Sequence, residues 1–393
     1  MTAEQAELRL RDAVGSCSDD ERAARAALAA AVEPGSVRIA RGTESVGPQD
    51  MVAVLRRGAP DKIDKDRRVQ RRLGYVDGRR ILDETDRIGA RFVCPGDQEW
   101  PECFTTMAAT LEASDAVPPP FGIWVRGPGE LPRLTGRSVA IVGARAATSY
   151  GRSVASELAA DLSAAGWTVV SGGAYGIDGA AHRGALATGR PTIAVLACGV
   201  DVPYPRGHTD LLERITADGL VMTERPPGVP PSRPGFLKRN RLIAALTAGT
   251  IVVEAARRSG ALSTAEWAGK LNRPVGIVPG PVTSALSAGC HKLARESGAT
   301  VVTNAVEIAD LVGAYGTDAA PDDREPDTVL DRLSEDERDI YEAVPGSGAT
   351  TVDELCRATG MTARRCLASL ASLAEAELVT RTATGWRLVR PSA

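Results

Sequence analysis

A chain of 393 residues with 43% hydrophobic content is long enough for two or three domains with a substantial core. Its formal charge of −3 excludes a protein-wide cationic field, so any nucleic-acid site has to be a local patch. The seven cysteines form no CxxC pair and keep no metal-like spacing to His182, His208 or His291, so no metal is expected and reduced thiols in a cytoplasm are the simplest reading.

The start, Met1-Thr2-Ala3-Glu4, is charged and lacks the apolar stretch of a signal peptide. No later run approaches the ~20 apolar residues of a membrane span, so the expectation is a soluble protein with no membrane partner. Residues 1–75 are expected to form a small helical domain of the SAM or helix-hairpin-helix kind. Asp19 to Ala31 is Ala-rich and amphipathic, and Met51 to Arg57 gives a second turn. The cations Lys62, Lys65, Arg67, Arg68, Arg71, Arg72, Arg79 and Arg80 alternate with Asp61, Asp64, Asp66 and Asp77 and read as a solvated mixed-charge face.

Residues 76–314 change pattern. Short β-branched runs at Val139–Val142, Thr168–Ser171, Thr192–Leu196, Leu220–Thr223, Thr250–Glu254, Val275–Val278 and Thr300–Val302 are each followed by a glycine turn and a helical stretch. Unbroken apolar strands at this spacing predict an α/β fold with a doubly wound, mostly parallel, Rossmann-like sheet covered on both faces. Residues 315–329 are acidic and poor in apolar side chains, a linker. Residues 330–393 give helices at Asp336–Val344, Val352–Thr359 and Thr362–Ala376 and strands at Leu378–Thr382 and Trp386–Val389, which is winged-helix order.

Ligands of open parallel sheets sit beyond the carboxyl ends of the strands, so the loops there are read first. Gly143-Ala144-Arg145 leaves a strand and opens a helix through Thr148 and Gly151. A dinucleotide fingerprint needs glycine where Arg145 stands and a carboxylate after the next strand, where Ser171-Gly172-Gly173 is found, so no nucleotide cofactor is expected. A guanidinium beside a helix N-terminus suits a phosphodiester, the alternative being an ion pair at the strand edge. The second loop continues through Tyr175 to Asp178, and Asp178 as a helix cap with His182 packing one turn later is favoured over acid–base or metal chemistry.

Phe236-Leu237-Lys238-Arg239-Asn240-Arg241 joins an aromatic to three cations, a combination that suits single strands. Helical geometry lets Lys238 and Arg241 face one ligand but puts Arg239 and Arg241 about 200° apart. One arginine is therefore structural, with Glu254 or Glu224 as its partner. Ser259-Gly260 and Gly280 supply further small turns that can hold phosphate oxygens or merely turn the chain.

Taken together, Val139 to Gly151, Ser171 to His182, Arg239-Asn240-Arg241, Val253-Glu254-Ala255, Ser259-Gly260 and Pro279-Gly280, in this order, resemble the DprA (Smf) family of DNA-processing proteins. The resemblance implies an extended Rossmann domain that dimerises, binds single-stranded DNA without sequence preference, and hands it to a RecA-type recombinase during natural transformation. It further implies that Arg145 is a principal phosphate contact, with Gly143, Ser171, Gly172, Gly173 and Lys238 lining the same pocket and Phe236 stacking. Some members carry lysine where this chain has Tyr175. The winged helix bears Arg364 and Arg365 but also Glu375 and Glu377, which suits a protein contact at least as well as a duplex.

The leading expectation is a non-catalytic DNA binder. A phosphoribohydrolase-type enzyme is the alternative, although Ser259-Gly260-Ala261-Leu262-Ser263-Thr264 with Glu266 lacks the double glycine such a site needs. A duplex-binding regulator with a nucleotide-sensing α/β domain is a third.

Overall fold

The computed structural model describes residues 17–58, 67–109, 116–313, 330 and 332–389. Residues 315–329, read as a linker, and Asp61, Lys62, Asp64, Lys65 and Asp66 of the charge run lie outside the described residues. The chain divides into two compact units, Met1–Ala320 and Pro321–Ala393. Among the described residues no helix is long and apolar enough to cross a membrane, and no three His, Cys, Asp or Glu side chains gather as a metal site.

Among the described residues the first unit opens with five helices: α1 (Asp19–Ala31), α2 (Val37–Val46), α3 (Pro48–Gly58), α4 (Arg68–Leu73) and α5 (Gly78–Arg87). Ser18 caps α1 by accepting from Glu21 N at 3.3 Å, and three acids follow in the first turn, which favours the positive helix end. The alanines at one side of α1 are buried and let its neighbours approach closely. Only α1 and part of α3 stand out in the sequence; α2, α4 and α5 carry few apolar residues among many polar ones.

Nine strands form one sheet in the order β1-β2-β6-β5-β4-β3-β7-β8-β9. The seven from β3 (Ser138–Val142) through β4 (Thr168–Ser171), β5 (Thr192–Val195), β6 (Leu220–Thr223), β7 (Thr250–Val252), β8 (Val275–Ile277) to β9 (Thr300–Val301) are parallel and coincide with the seven β-branched runs. Alternate residues face opposite layers: Val139 and Ile141 enter one core, Ala140 and Val142 the other, all fully or nearly fully buried. Burying each valine or isoleucine contributes roughly 1.5–3 kcal/mol. Two strands escaped the sequence reading, β1 (Arg91–Val93) and β2 (Ile123–Arg126), which extend the sheet antiparallel beyond β6. They are three and four residues long, and the helices that follow them, α6 (Glu102–Ala109) and α7 (Leu131–Thr135), are short.

The strand order sets the site. The chain adds β4, β5 and β6 on one side of β3, then crosses back to place β7 against the other side. The reversal falls between β3 and β7, and a crevice opens beyond their carboxyl ends.

Among its described residues the second unit holds three helices (Glu335–Ala343, Val352–Thr359 and Ala363–Glu375) and an antiparallel pair, Val379–Thr382 with Gly385–Leu388, which is the winged-helix order. Ser334 and Thr351 each form a capping box with a glutamate three residues on. Arg365 is held to Asp336, Nε to Oδ2 at 2.9 Å.

Candidate nucleic-acid interface

Four segments meet at the reversal. Gly143-Ala144-Arg145 follows β3, Gly172 to Asp178 follows β4, Arg258-Ser259-Gly260 follows β7, and α11 (Arg233–Leu246) begins opposite them. They enclose a cavity of about 960 Å³, large for a ligand cleft. The first turns of α11, capped by Ser232, and of α12 (Gly260–Lys270), capped by Ser259, both open into it and favour an anion.

Arg145 is exposed at the mouth, its guanidinium carbon 4.8 Å from the centre of the Phe236 ring. Tyr204 tilts against the same ring at 5.5 Å. The arrangement restrains a long cationic side chain by stacking while leaving it in solvent. Arg233 and Arg258, also exposed, line the cavity, so three arginines converge in a chain of net negative charge.

The wall is braced by buried groups. Arg239 donates to the carbonyls of Gly172, at 2.9 Å, and Val195. Its Nε donates to Asn240 Oδ1 at 3.2 Å, and Asn240 Nδ2 donates to Gly260 O at 3.1 Å. One helix turn thus ties together the loops after β4, β5 and β7. Burial pushes the Arg239 guanidinium down to about 10, against the pull of Asp178, so it remains cationic at neutral pH. Asp178 accepts from Gly172 N at 3.1 Å and Ala174 N at 3.4 Å, and burial raises its carboxyl above the ordinary range. The N-cap of its own helix, α9 (Ile177–Ala187), is Gly176, so Asp178 shapes the preceding loop instead of capping. Gly172 has to be glycine: a Cβ there would stand 2.6 Å from Arg239 Nη2 and 2.8 Å from Asp178 Oδ2.

Of the residues expected to bind, Gly143, Arg145, Phe236, Arg239, Asn240, Ser259 and Gly260 line this cavity. Gly172 and Tyr175 line a smaller crevice beside Arg145 and Phe236. Tyr175 meets the His208 ring edge-on at 4.8 Å and accepts from Gly207 N at 3.2 Å.

Others stand elsewhere, and the reading of them is corrected. Arg241 is 1% exposed and grips Glu224 with both terminal nitrogens, at 2.8 and 2.6 Å, while its Nε donates to Pro118 O at 3.0 Å, so it cannot share a ligand with Lys238. Lys238 turns toward the helical module, where a Cβ at Gly35 would lie 3.3 Å from its Cδ. Ser171 is buried and donates to Ile141 O at 2.6 Å. Gly173 is buried and its carbonyl meets His208 Nδ1 at 3.0 Å. Thr148 caps α8 (Ser149–Ala164) and binds Glu254 through its amide, at 2.9 Å, and its hydroxyl, at 2.6 Å, so Glu254 has a threonine partner where an arginine was expected. Gly151 packs against that carboxylate with no room for a side chain, and Gly280 lies outside the cavity lining, its carbonyl 3.1 Å from His291 Nε2.

The sequence reading missed Tyr204, Arg233 and Arg258. Arg233 and Arg258 each stand beside a helix-capping serine, Ser232 and Ser259, a signal present in the sequence. Tyr204 lies in a loop between β5 and α10 (Thr209–Asp218), and nothing local marks it.

Residues 91–313 match the family described as DNA recombination-mediator protein A, and residues 317–382 match the DprA winged helix domain. A DNA processing protein DprA of Mycobacterium tuberculosis is 44% identical over 383 residues, spanning 95% of this chain and 96% of that protein. The chain belongs to the DprA family. Protein Smf of Escherichia coli is 37% identical over 228 residues, 58% of this chain and 59% of that protein. The X-ray structure of DprA from Streptococcus pneumoniae superposes on 76% of this chain and 99% of its own with a TM-score of 0.61 at 29% identity. The DprA resemblance noted in the loop motifs and the Rossmann-like sheet with a winged helix therefore both hold.

Proposed function

We propose that this DprA-family chain binds single-stranded DNA across the cavity at the sheet reversal and delivers it to a RecA-type recombinase. The observation that carries the binding reading is Arg145 stacked on Phe236 beside Tyr204, with Arg233, Arg258 and two helix N-termini around the same opening. Cations and helix ends suit phosphates, and aromatic rings suit bases that are free to unstack, which a duplex withholds. Contacts to phosphates and stacking on base faces carry no base-edge readout, so this mode of binding is tolerant of sequence.

Handover to a recombinase, as in natural transformation, is supported by the description of the matched family as a recombination mediator. Homodimerisation and a cytoplasmic location belong to the same proposal. At the sheet's end Thr300 and Val301 of β9 are exposed with Val306 beside them, an uncovered edge that a second copy can pair with. The reading is non-catalytic. Asp178 is the carboxylate among the cavity's lining residues, and Glu266 of the hydrolase-like segment is exposed outside them.

The test is a fluorescence-anisotropy titration of labelled oligo-dT and of a duplex of equal length at rising salt. Preferential single-strand binding whose logarithm falls linearly with the logarithm of salt is expected. Duplex preference or salt-independent binding overturns the reading, and release of free base from AMP would restore the hydrolase. Light scattering reads the dimer, and recombinase ATP turnover on strands covered by single-strand-binding protein reads the handover.

A further inference from the structure

The cavity does not absorb the other cationic feature of the chain. Between Arg56 and Arg80 stand ten Lys or Arg and four Asp, in a protein of net charge −3. In this stretch Tyr75 is 95% exposed, so its ring faces are open to stack on a base. The helices bring the two features together. Arg56 at the end of α3 reaches across to donate to Val76 O at 3.1 Å, next to Tyr75, and Gln70 Nε2 returns to Arg56 O at 3.1 Å. Arg71 Nε lies 3.4 Å from Arg67 O on the same short helix. Arg72 bonds Ala31 O at 3.3 Å, at the end of α1, and Glu33 at 2.8 Å, on the loop between α1 and α2. That loop is also where Gly35 receives Lys238, two residues beyond Phe236. Lys238, two residues beyond the cavity's Phe236, and Arg72, three residues before Tyr75, therefore both meet one short segment, Glu33 to Gly35.

We propose that the helical module carries a second stretch of the DNA track, in which Tyr75 stacks a base and Arg56, Arg71 and Arg72 meet the phosphates of the same single strand that occupies the cavity. The inference rests on the single-strand reading of the cavity. A surface ion pair such as Arg72–Glu33 is weak enough to exchange its carboxylate for a phosphate, and Arg56 is bonded to a carbonyl, which leaves its charge in place. Commitment to a nucleic-acid strand over an acidic peptide follows from the ring: an exposed aromatic beside cations is a stacking platform for bases.

The experiment compares the full chain with Tyr75→Ala, Tyr75→Phe and the double variant Arg56→Ala/Arg71→Ala on oligo-dT of about six and about twenty-four nucleotides, bracketing the site size of one binding surface. Tyr75→Ala is expected to weaken the long strand about tenfold and leave the short one unchanged, while Tyr75→Phe keeps wild-type affinity. The double variant lowers the salt slope on the long strand by about 1.4, two phosphates at about 0.7 each. Wild-type affinity of Tyr75→Ala for the long strand, or equal loss on both lengths, overturns the proposal. Failure of the cavity reading looks different: wild-type protein ignores the short strand, or Arg145→Ala binds it as well as wild type does.

Discussion

Arg241 and Glu224 hold each other through two parallel hydrogen bonds, at 2.8 and 2.6 Å, with both side chains withdrawn from solvent. Two residues earlier on the same helix, Arg239 points to the opposite side and ties strand-end loops, so one turn of α11 supplies both the anchor of the helix and the brace of the site. Removing one partner of a buried pair strands the other charge. Arg241→Met is expected to lower unfolding free energy by about 3–5 kcal/mol in denaturant titrations, and Arg241→Met with Glu224→Leu to recover much of it. Single-strand affinity of the folded fraction should stay within about twofold, a modest free-energy change; a large drop would make Arg241 a ligand contact after all.

Arg145 acts at the other extreme, exposed and stacked. Arg145→Ala is expected to cost at least about tenfold in oligo-dT affinity, and to reduce the salt slope by about 0.7. Arg145→Lys restores the slope but only part of the affinity, because an ammonium neither stacks flat on Phe236 nor grips two oxygens. Full rescue by lysine would remove the role given to Phe236.

Tyr175 borders the crevice beside Arg145, and a cation placed there adds a phosphate contact. Tyr175→Lys should steepen the salt dependence by about 0.7. An unchanged slope means that the strand does not pass this side of Arg145.

His182 offers a pH test of stability. Its Nδ1 stands 2.9 Å from Thr192 Oγ1, whose proton goes to Val169 O, so Nδ1 carries the hydrogen and Nε2 has no partner among the described residues. Burial pulls its pKa from 6.5 down to about 3. The unfolded chain then binds the proton first, so stability is complete above pH 6.5 and declines as pH falls from 6.5 toward 3. His182→Gln should flatten this limb in denaturant midpoints measured across that range; an equally steep limb in the variant assigns acid sensitivity to other groups.

The parallel sheet was legible because β-branched runs, glycine turns and helix-length spacing all imposed the same period, from Val139 to Val301. β1 and β2 were not, since they lie before that run begins and join the sheet antiparallel, outside its βα repeat. In the site, Arg145 and Phe236 could be read from a strand-to-helix turn and an aromatic beside cations. The division of labour among Lys238, Arg239, Asn240 and Arg241 could not, because it depends on which neighbour each side of the helix meets: Gly35, the strand ends, Gly260 or Glu224. Tyr204 reaches Phe236 only through the fold.

The boundary expected near residue 75 runs through packed material. Cys17, Ala26 and Ala29 share one apolar cluster with Phe92, Trp124, Leu196 and Val221, Trp124 Nε1 donates to Thr85 Oγ1 at 2.9 Å, and Arg22 bonds Phe92 O at 2.8 Å and Asp97 through both oxygens. The opening helices are thus welded to the sheet edge and do not swing on a tether. For a strand following the proposed track over both parts, the surface geometry is settled when the chain folds, so aligning the two halves would add no entropic toll at the moment of capture.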